Sequence, residues 1–328
     1  MSVLARFRPD KFTTALIGTV LLATVLPCTG QVAEAWSLAT QLAIALLFFL
    51  HGARLSRQAV LTGLIHWRLH LTVFAFTYAL FPIMGLAAAS LPATLLSPPL
   101  AVGILFLCCL PSTVQSSIAF TSIAGGNVPA AICSASASSL IGVFLTPLLM
   151  GVLMSAHGGG VSIDQVESIV LQLLVPFLVG QAVHPWLGAW ALRHKTMLGF
   201  VDRGSILMVV YGAFSEAVTH GLWHQLTPLS TAGMVLINVV LLAIALCSTT
   251  WTARRLGFNH QDEITIVFCG SKKSLAAGVP MANILFAGHA VGMIVLPLML
   301  FHQIQLMACA VLAKRYAQAG HSVRPPSP

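Results

Sequence analysis

The chain has 328 residues, of which 57% are hydrophobic and only 7% charged. A soluble domain carries roughly 25% charged residues, so a chain this poor in charge cannot coat a water-facing surface; soluble enzymes, nucleic-acid binders and disordered proteins are excluded. Sixteen basic and eight acidic residues give a formal net charge of +8, and in so apolar a chain the informative question is which side of a bilayer the cations occupy.

Crossing a hydrocarbon core of about 30 Å takes roughly 20 apolar residues as helix. Ten such spans follow in chain order, at 12–28, 36–53, 69–90, 99–124, 127–154, 166–186, 203–220, 229–252, 263–286 and 290–313. The first resembles a signal peptide, with Arg6, Arg8 and Lys11 ahead of it and Cys28 behind, but Pro27 stands where a cleavage site needs a small residue. Nine more spans follow, so this helix is expected to be retained.

With the N-terminus in the cytoplasm, the inner segments hold Arg6, Arg8 and Lys11; Arg54, Arg57 and Arg68; Arg193, Lys195 and Arg203; Arg254 and Arg255; and Lys314, Arg315 and Arg324. That is fourteen of the 16 basic residues, and the outer loops hold none. The asymmetry predicts ten helices with both ends inside, and the expected location is a bacterial inner membrane.

The seven cysteines lie in apolar runs without a C-x-x-C and read as small buried hydrophobes. The twelve histidines give no H-E-x-x-H, and His220 and His224 read as interfacial. Gly158 to Gly160 mark a flexible outer loop between two groups of five spans. Because five is odd, the second group enters the membrane upside down. The chain therefore reads as one membrane unit of two inverted repeats, 12–154 and 166–313, followed by a cytoplasmic tail at 314–328.

Two spans are interrupted at matching places. The fourth contains Pro111, Ser112, Thr113, Gln115, Ser116 and Ser117; the ninth contains Gly270, Ser271, Lys272, Lys273 and Ser274. Matching Ser117-Ile118-Ala119 to Ser274-Leu275-Ala276 gives an offset of 157 residues. At about 1.5 Å per residue, Pro111 lies roughly 18 Å from the outer end of its span and Lys272 roughly 15 Å from the inner end of its own. Both breaks fall near the bilayer centre, the usual position of a carrier's binding site. Proline removes a backbone donor and frees carbonyls, which with the hydroxyls form hard oxygen ligands for a cation such as Na⁺. The restarting half-helix offers N–H groups to an anion.

A lysine at mid-bilayer costs at least about 2.5–3.5 kcal/mol. Lys272 and Lys273 therefore read as fixed positive charge in a cleft, to bind an anionic solute, to exchange a proton, or to stand where a coupling cation sits. Neighbouring helical residues point about 100° apart, so both face one partner only if the helix unwinds. Glu216 is the one carboxylate clearly inside a span, about 20 Å from Arg203 along the helix; it is a counter-ion or proton carrier, or an interfacial cap. Ser134 and Ser138 share a face of the fifth span and are candidates to complete a cation site with Ser116 and Ser117. Asn127 reads as a turn residue. His51, Gln181, His184, Asn238, His302, Gln303 and Gln305 read as helix–helix hydrogen-bonding groups.

Several longer motifs occur in one order: Phe48 to Leu55, His66-Trp67-Arg68-Leu69-His70, Leu110 to Thr121, Val201 to Ser205, Ala213 to Glu216, Phe268 to Pro280 and Leu296 to Leu306. In these the chain resembles the SBF-like branch of the bile acid:sodium symporter family. The resemblance implies ten helices in two inverted five-helix repeats, a panel of helices 1, 2, 6 and 7, and a core of helices 3, 4, 5, 8, 9 and 10. Helices 4 and 9 would be broken and cross at the substrate cleft, with the core rocking against the panel. Sodium-coupled members carry a glutamate where Phe268 stands, a Gln-Asn pair where Lys272 and Lys273 stand, and a Ser-Asn pair where Ser116 and Ser117 stand. A lysine ammonium is accordingly expected to replace at least one sodium ion.

The expected activity is secondary transport of a small anionic organic solute. Ser112, Thr113, Gln115, Ser116, Ser117, Ser271, Lys272, Lys273, Ser274 and Glu216 are expected at the substrate site, and Ser116, Ser117, Ser134 and Ser138 at an ion site. The alternative is a membrane regulator of ion homeostasis, calcium included, since eukaryotic members of this branch are associated with calcium regulation. No enzymatic activity or cofactor is expected beyond Na⁺ or H⁺ as coupling ion. The expected partners are the lipid bilayer and a small-molecule or ion substrate; oligomeric state is left open.

Overall fold

A computed structural model describes residues 11–54, 66–155, 170–219, 221, 227–287 and 289–322. The glycine loop at 158–160, His220, His224 and the segment from Arg324 to Pro328 lie outside the described residues. Among the described residues there is helix and no strand. The helices are α1 (Lys11–Val25), α2 (Gly30–Arg54), α3 (Trp67–Ala89), α4 (Pro98–Cys109), α5 (Gln115–Ala124) and α6 (Val128–Ser155). They continue as α7 (Val175–Arg193), α8 (Lys195–Thr219), α9 (Pro228–Arg255), α10 (His260–Gly270), α11 (Leu275–Leu285) and α12 (Val291–Ser322).

Seven of these, α2, α3, α6, α7, α8, α9 and α12, are long and apolar enough to cross a membrane. Large apolar side chains stand on their outer faces, with Trp186 77% and Phe200 68% exposed. Such a surface is tolerable only in contact with lipid, so the protein is a multi-pass membrane protein. Four cysteines are buried, but Cys247 is exposed on α9; an apolar residue in a membrane helix is at home on the lipid side too.

Helix ends depart from the hydropathy boundaries because hydropathy marks only the oily part of a rod. Only His194 separates α7 from α8, and α12 runs to Ser322, past Lys314 and Arg315. Lysine, arginine and alanine continue a helix readily once it has left the hydrocarbon. Caps close other ends. Asn259 accepts from Asp262 N at 2.8 Å at the start of α10, and Gly125, at φ 75°, ends α5 in the left-handed conformation that glycine adopts without strain.

Helices α1, α2, α7 and α8 pack on one another. A Cβ on Gly52 of α2 would collide with the backbone at Phe177, and one on Gly180 of α7 with the backbone at Phe49; the two glycines let the rods touch closely. Arg54 bridges to Asp202 at 2.6 Å and ties α2 to α8. The remaining helices form a second set of contacts, and α8 meets α11 and α12 between the two groups.

Candidate functional site

Pro111 has no N–H, and its ring excludes the helical conformation from the residue before it. Leu110 is accordingly extended, α4 stops at Cys109, and helix resumes at Gln115. In the second half α10 stops at Gly270, and α11 begins at Leu275 with Ser274 as its cap. Leu275 follows Gln115 by 160 residues, beside the 157 of the short Ser-aliphatic-Ala match.

The two unwound stretches meet. Ser112 Oγ donates to Cys269 O at 2.6 Å, Ser117 Oγ to Phe268 O at 2.9 Å, and Ser274 N to Pro111 O at 2.9 Å. Ser271 Oγ turns back to Val267 O at 2.6 Å. Thr146 Oγ1 donates to Cys109 O at 2.8 Å. The carbonyls released by the two breaks are thus taken up by the protein, as burial without water requires.

Lys272 and Lys273 are both 0% exposed. The Lys273 ammonium donates to Thr77 O at 2.8 Å, Cys108 O at 2.7 Å and Leu110 O at 2.8 Å, which uses all three of its N–H groups. Cys108 and Leu110 lie at the negative end of the α4 dipole. Thr77 lies in a π-helical turn, Phe76–Leu80, where Phe81 N bonds to Phe76 O. The next bond in that register would come from Pro82 to Thr77 O, and proline has no N–H to give. The ammonium also stands 4.2 Å from the centre of the Phe81 ring. Gln305 holds the backbone beneath it, accepting from Lys273 N at 3.0 Å and donating to Lys273 O at 2.9 Å.

Lys272 points elsewhere, as unwinding allows. Its ammonium donates to Ser116 O at 2.9 Å and lies 3.8 Å from the Phe120 ring centre and 5.3 Å from that of Phe268. Neither lysine forms an ion pair among the described residues; the two such pairs are Arg54–Asp202 and Arg254–Glu263. Close by, α5 begins at Gln115 with Val114 at its cap position and no side-chain cap, and Gln115 and Ala119 are exposed.

Ser112, Thr113, Ser116 and Ser117 come together as one hydroxyl cluster. Thr113 Oγ1 lies 2.5 Å from Ser116 Oγ and 3.1 Å from Ser117 Oγ. Ser138 reaches its edge, accepting from Ser112 N at 3.0 Å. Ser134 lies apart from that cluster's bonds and shares a 2.5 Å hydrogen bond with His70 Nδ1. Glu216 is exposed and lines a separate cavity of about 440 Å³ with Trp36, Thr40, Gly212, Thr219 and Asn283. Asn127 is the turn residue it was read as: its side chain accepts from Ala130 N and donates to Asp262 Oδ1 at 2.8 Å. Among the described residues no group of three or more His, Cys, Asp or Glu could hold a metal ion.

Sequence reasoning missed Thr77, Phe81 and Phe120, and treated Gln305 as an ordinary helix–helix contact. Pro82 was the available signal for Thr77, since a proline always orphans a carbonyl one turn back. The aromatic rings carried none, because a phenylalanine in an apolar span does not announce which cation it faces.

Interrupted helices whose unwound stretches meet inside a multi-pass membrane protein are a feature of membrane carriers. Residues 10–318 match the SBF-like CPA transporter family, and the chain belongs to it. It is 62% identical over 314 residues to an uncharacterized protein of Pseudomonas aeruginosa, covering 95% of this chain and 94% of that one. It is 57% identical over 307 residues to "Putative symporter YfeH" of Escherichia coli, covering 94% and 92%. The rat protein named sodium/bile acid cotransporter 7 is 28% identical over 322 residues, covering 95% and 94%. Family and names point to a transporter.

Proposed function

We propose that the protein is a ten-span secondary transporter of a small anionic organic solute. The reading takes α4–α5 and α10–α11 as the fourth and ninth spans, broken and crossing. The other spans are α1, α2, α3 and α6 in the first repeat and α7, α8, α9 and α12 in the second, inverted one, with both termini in the cytoplasm of a bacterial inner membrane. The panel is α1, α2, α7 and α8, the core is the rest, and solute passes as the core rocks against the panel. The grouping of helix contacts supports this division.

The observation that carries the proposal is the Lys273 ammonium on three backbone carbonyls. Three oxygens at 2.7–2.8 Å around a positive charge form the first half of a cation's coordination shell, supplied here with a tethered cation. Transport is therefore independent of Na⁺ binding at this position, and is either uncoupled or driven by protons. Lys272 serves the solute. It lies against the first turn of α5, on Ser116 O and the Phe120 ring, next to a helix start whose N–H groups also favour an anion. The exposed Gln115 nearby cannot face lipid at mid-depth without penalty, so it faces an aqueous cleft.

Purified protein in liposomes tests this. Labelled organic anions should accumulate under a proton gradient or equilibrate without one, at rates unchanged when Na⁺ is replaced by K⁺. Flux that requires Na⁺ would refute the tethered-cation reading. No flux over a broad anion panel, with ligand binding intact, would instead favour the regulator.

A further inference from the structure

Away from the crossing, an apolar groove of about 920 Å³ runs between α9 and α12. Among its lining residues, Leu246 and Ala308 lie furthest along their helices from the charged end, where Arg254, Arg255 and Arg315 stand. From Leu246 to Arg255 the α9 rod rises about 13 Å, close to the hydrocarbon depth of one leaflet. The groove therefore begins near mid-membrane and opens at the headgroup level.

Among the described residues the charges at the mouth do not balance. Arg254 is committed to Glu263, donating from Nε at 3.1 Å and from Nη2 at 3.0 Å, and Tyr316 OH donates to the same carboxylate at 3.0 Å. That one carboxylate is already engaged by Arg254 and Tyr316. Arg255 lies 5.5 Å from the ring centre of Trp251, which is 62% exposed, the placement of an interfacial aromatic. Arg315 is exposed on the facing helix. Two guanidiniums remain over an apolar slot, and a planar guanidinium fork matches phosphate oxygens.

We propose that this groove binds an anionic phospholipid, with an acyl chain between α9 and α12 and the phosphate on Arg255 and Arg315. The occupant's chemistry follows from the juxtaposition of an oily trench one leaflet deep with uncompensated cations at its rim. A water-soluble anion would leave the trench empty, and a zwitterionic lipid would leave the rim charges unbalanced. The site sits on the seam between α9 and α12, which the Arg254–Glu263–Tyr316 cluster already clamps at one end, so the lipid adds a second clamp along the same seam.

The full-length protein, delipidated in non-ionic detergent, is titrated with phosphatidylglycerol, phosphatidylcholine or glycerol phosphate. Native mass spectrometry counts retained adducts, and thermal unfolding is followed in parallel. Phosphatidylglycerol should be retained and raise Tm above phosphatidylcholine. The R255Q/R315Q double variant should bind it about thirtyfold more weakly, two near-membrane charges having been removed, with phosphatidylcholine unaffected. Ala308→Trp keeps the charges and fills the trench, and should also lose the preference. Equal retention of the two lipids, an unchanged preference in both variants, stabilisation by glycerol phosphate alone, or a change of oligomeric mass on R255Q/R315Q substitution would each overturn the proposal.

Discussion

Lys272 and Lys273 are adjacent, equally buried and chemically identical, yet the two sides of the crossing use them differently. On the Lys273 side every polar group has a partner. The ammonium has three carbonyls, the backbone has the two ends of the Gln305 amide, and the Phe81 ring closes the remaining space. On the Lys272 side there is one carbonyl, two aromatic faces and a helix start without a side-chain cap. The first arrangement is complete, so it holds the breaks together. The second leaves the ammonium with one carbonyl acceptor for its three N–H groups, and this unspent capacity is the reason we propose it for the solute. Residue type alone says nothing about this division of labour; it comes from how many acceptors the fold brings within reach.

Thermal unfolding in detergent ranks the ways to break the comparison. The largest effect is expected at Lys273. Lys273→Met orphans three buried carbonyls, each worth about 1–3 kcal/mol, partly offset because no charge is then buried. A net loss of about 3 kcal/mol or more is expected, with flux abolished. Lys273→Ala sharpens the test, because it leaves a cavity rimmed by the same three oxygens. Addition of Na⁺ should raise the Tm of that variant and leave the wild type unmoved. Stabilisation of the wild type by Na⁺ would mean that the ammonium does not fill the cation position.

Gln305→Leu comes next. It keeps much of the side-chain volume and removes the clamp, leaving the N–H and C=O of Lys273 without their partner, for about 2 kcal/mol. It should also depress flux, since Lys273 would lose its aim. Gly180→Ala serves as a counterpart far from the crossing. Its methyl meets the backbone of α2 at Phe49, and overpacking of this kind costs about 1–3 kcal/mol. The variant should melt earlier while its flux, measured at low temperature, keeps the wild-type ion dependence. If the Gln305 and Gly180 variants lose the same activity, the clamp has no special role.

Much of the architecture was legible in the sequence because membrane physics is restrictive. Lipid forbids unpaired backbone, so apolar length predicts helix, and a proline or a lysine inside such a length has to mean something. Pro111 and the lysine pair located both breaks for that reason. The Lys273 contacts were not legible. They depend on a π-turn in α3 that brings Thr77 O to a residue 196 positions away, and no local pattern encodes that distance. The serines were half legible: Ser112 and Ser117 bind the facing break as polar residues there should, whereas Ser134 pairs with His70, a choice set by the packing of α6 on α3. The extension of α7, α8 and α12 past the oily segments was hidden because their polar ends carry no hydropathy signal.

The smallest effect on unfolding, and the sharpest on function, is expected at Lys272. Lys272→Gln removes one hydrogen bond and two cation–π contacts, each worth roughly 0.5–2 kcal/mol, and also removes the cost of burying a charge. These nearly cancel, so Tm should stay within a few degrees of wild type. Flux of the anionic solute should nevertheless fall at least about tenfold, the factor that loss of roughly 1.4 kcal/mol of anion recognition produces. Lys272→Arg should restore flux only in part, because a planar, delocalised guanidinium presents its charge differently from a compact ammonium. A variant that melts like wild type and transports like wild type would move solute recognition away from Lys272, to the hydroxyl cluster of Ser112, Thr113, Ser116 and Ser117. A variant that fails to fold would make the two lysines structural equals and erase the asymmetry between the two sides of the crossing.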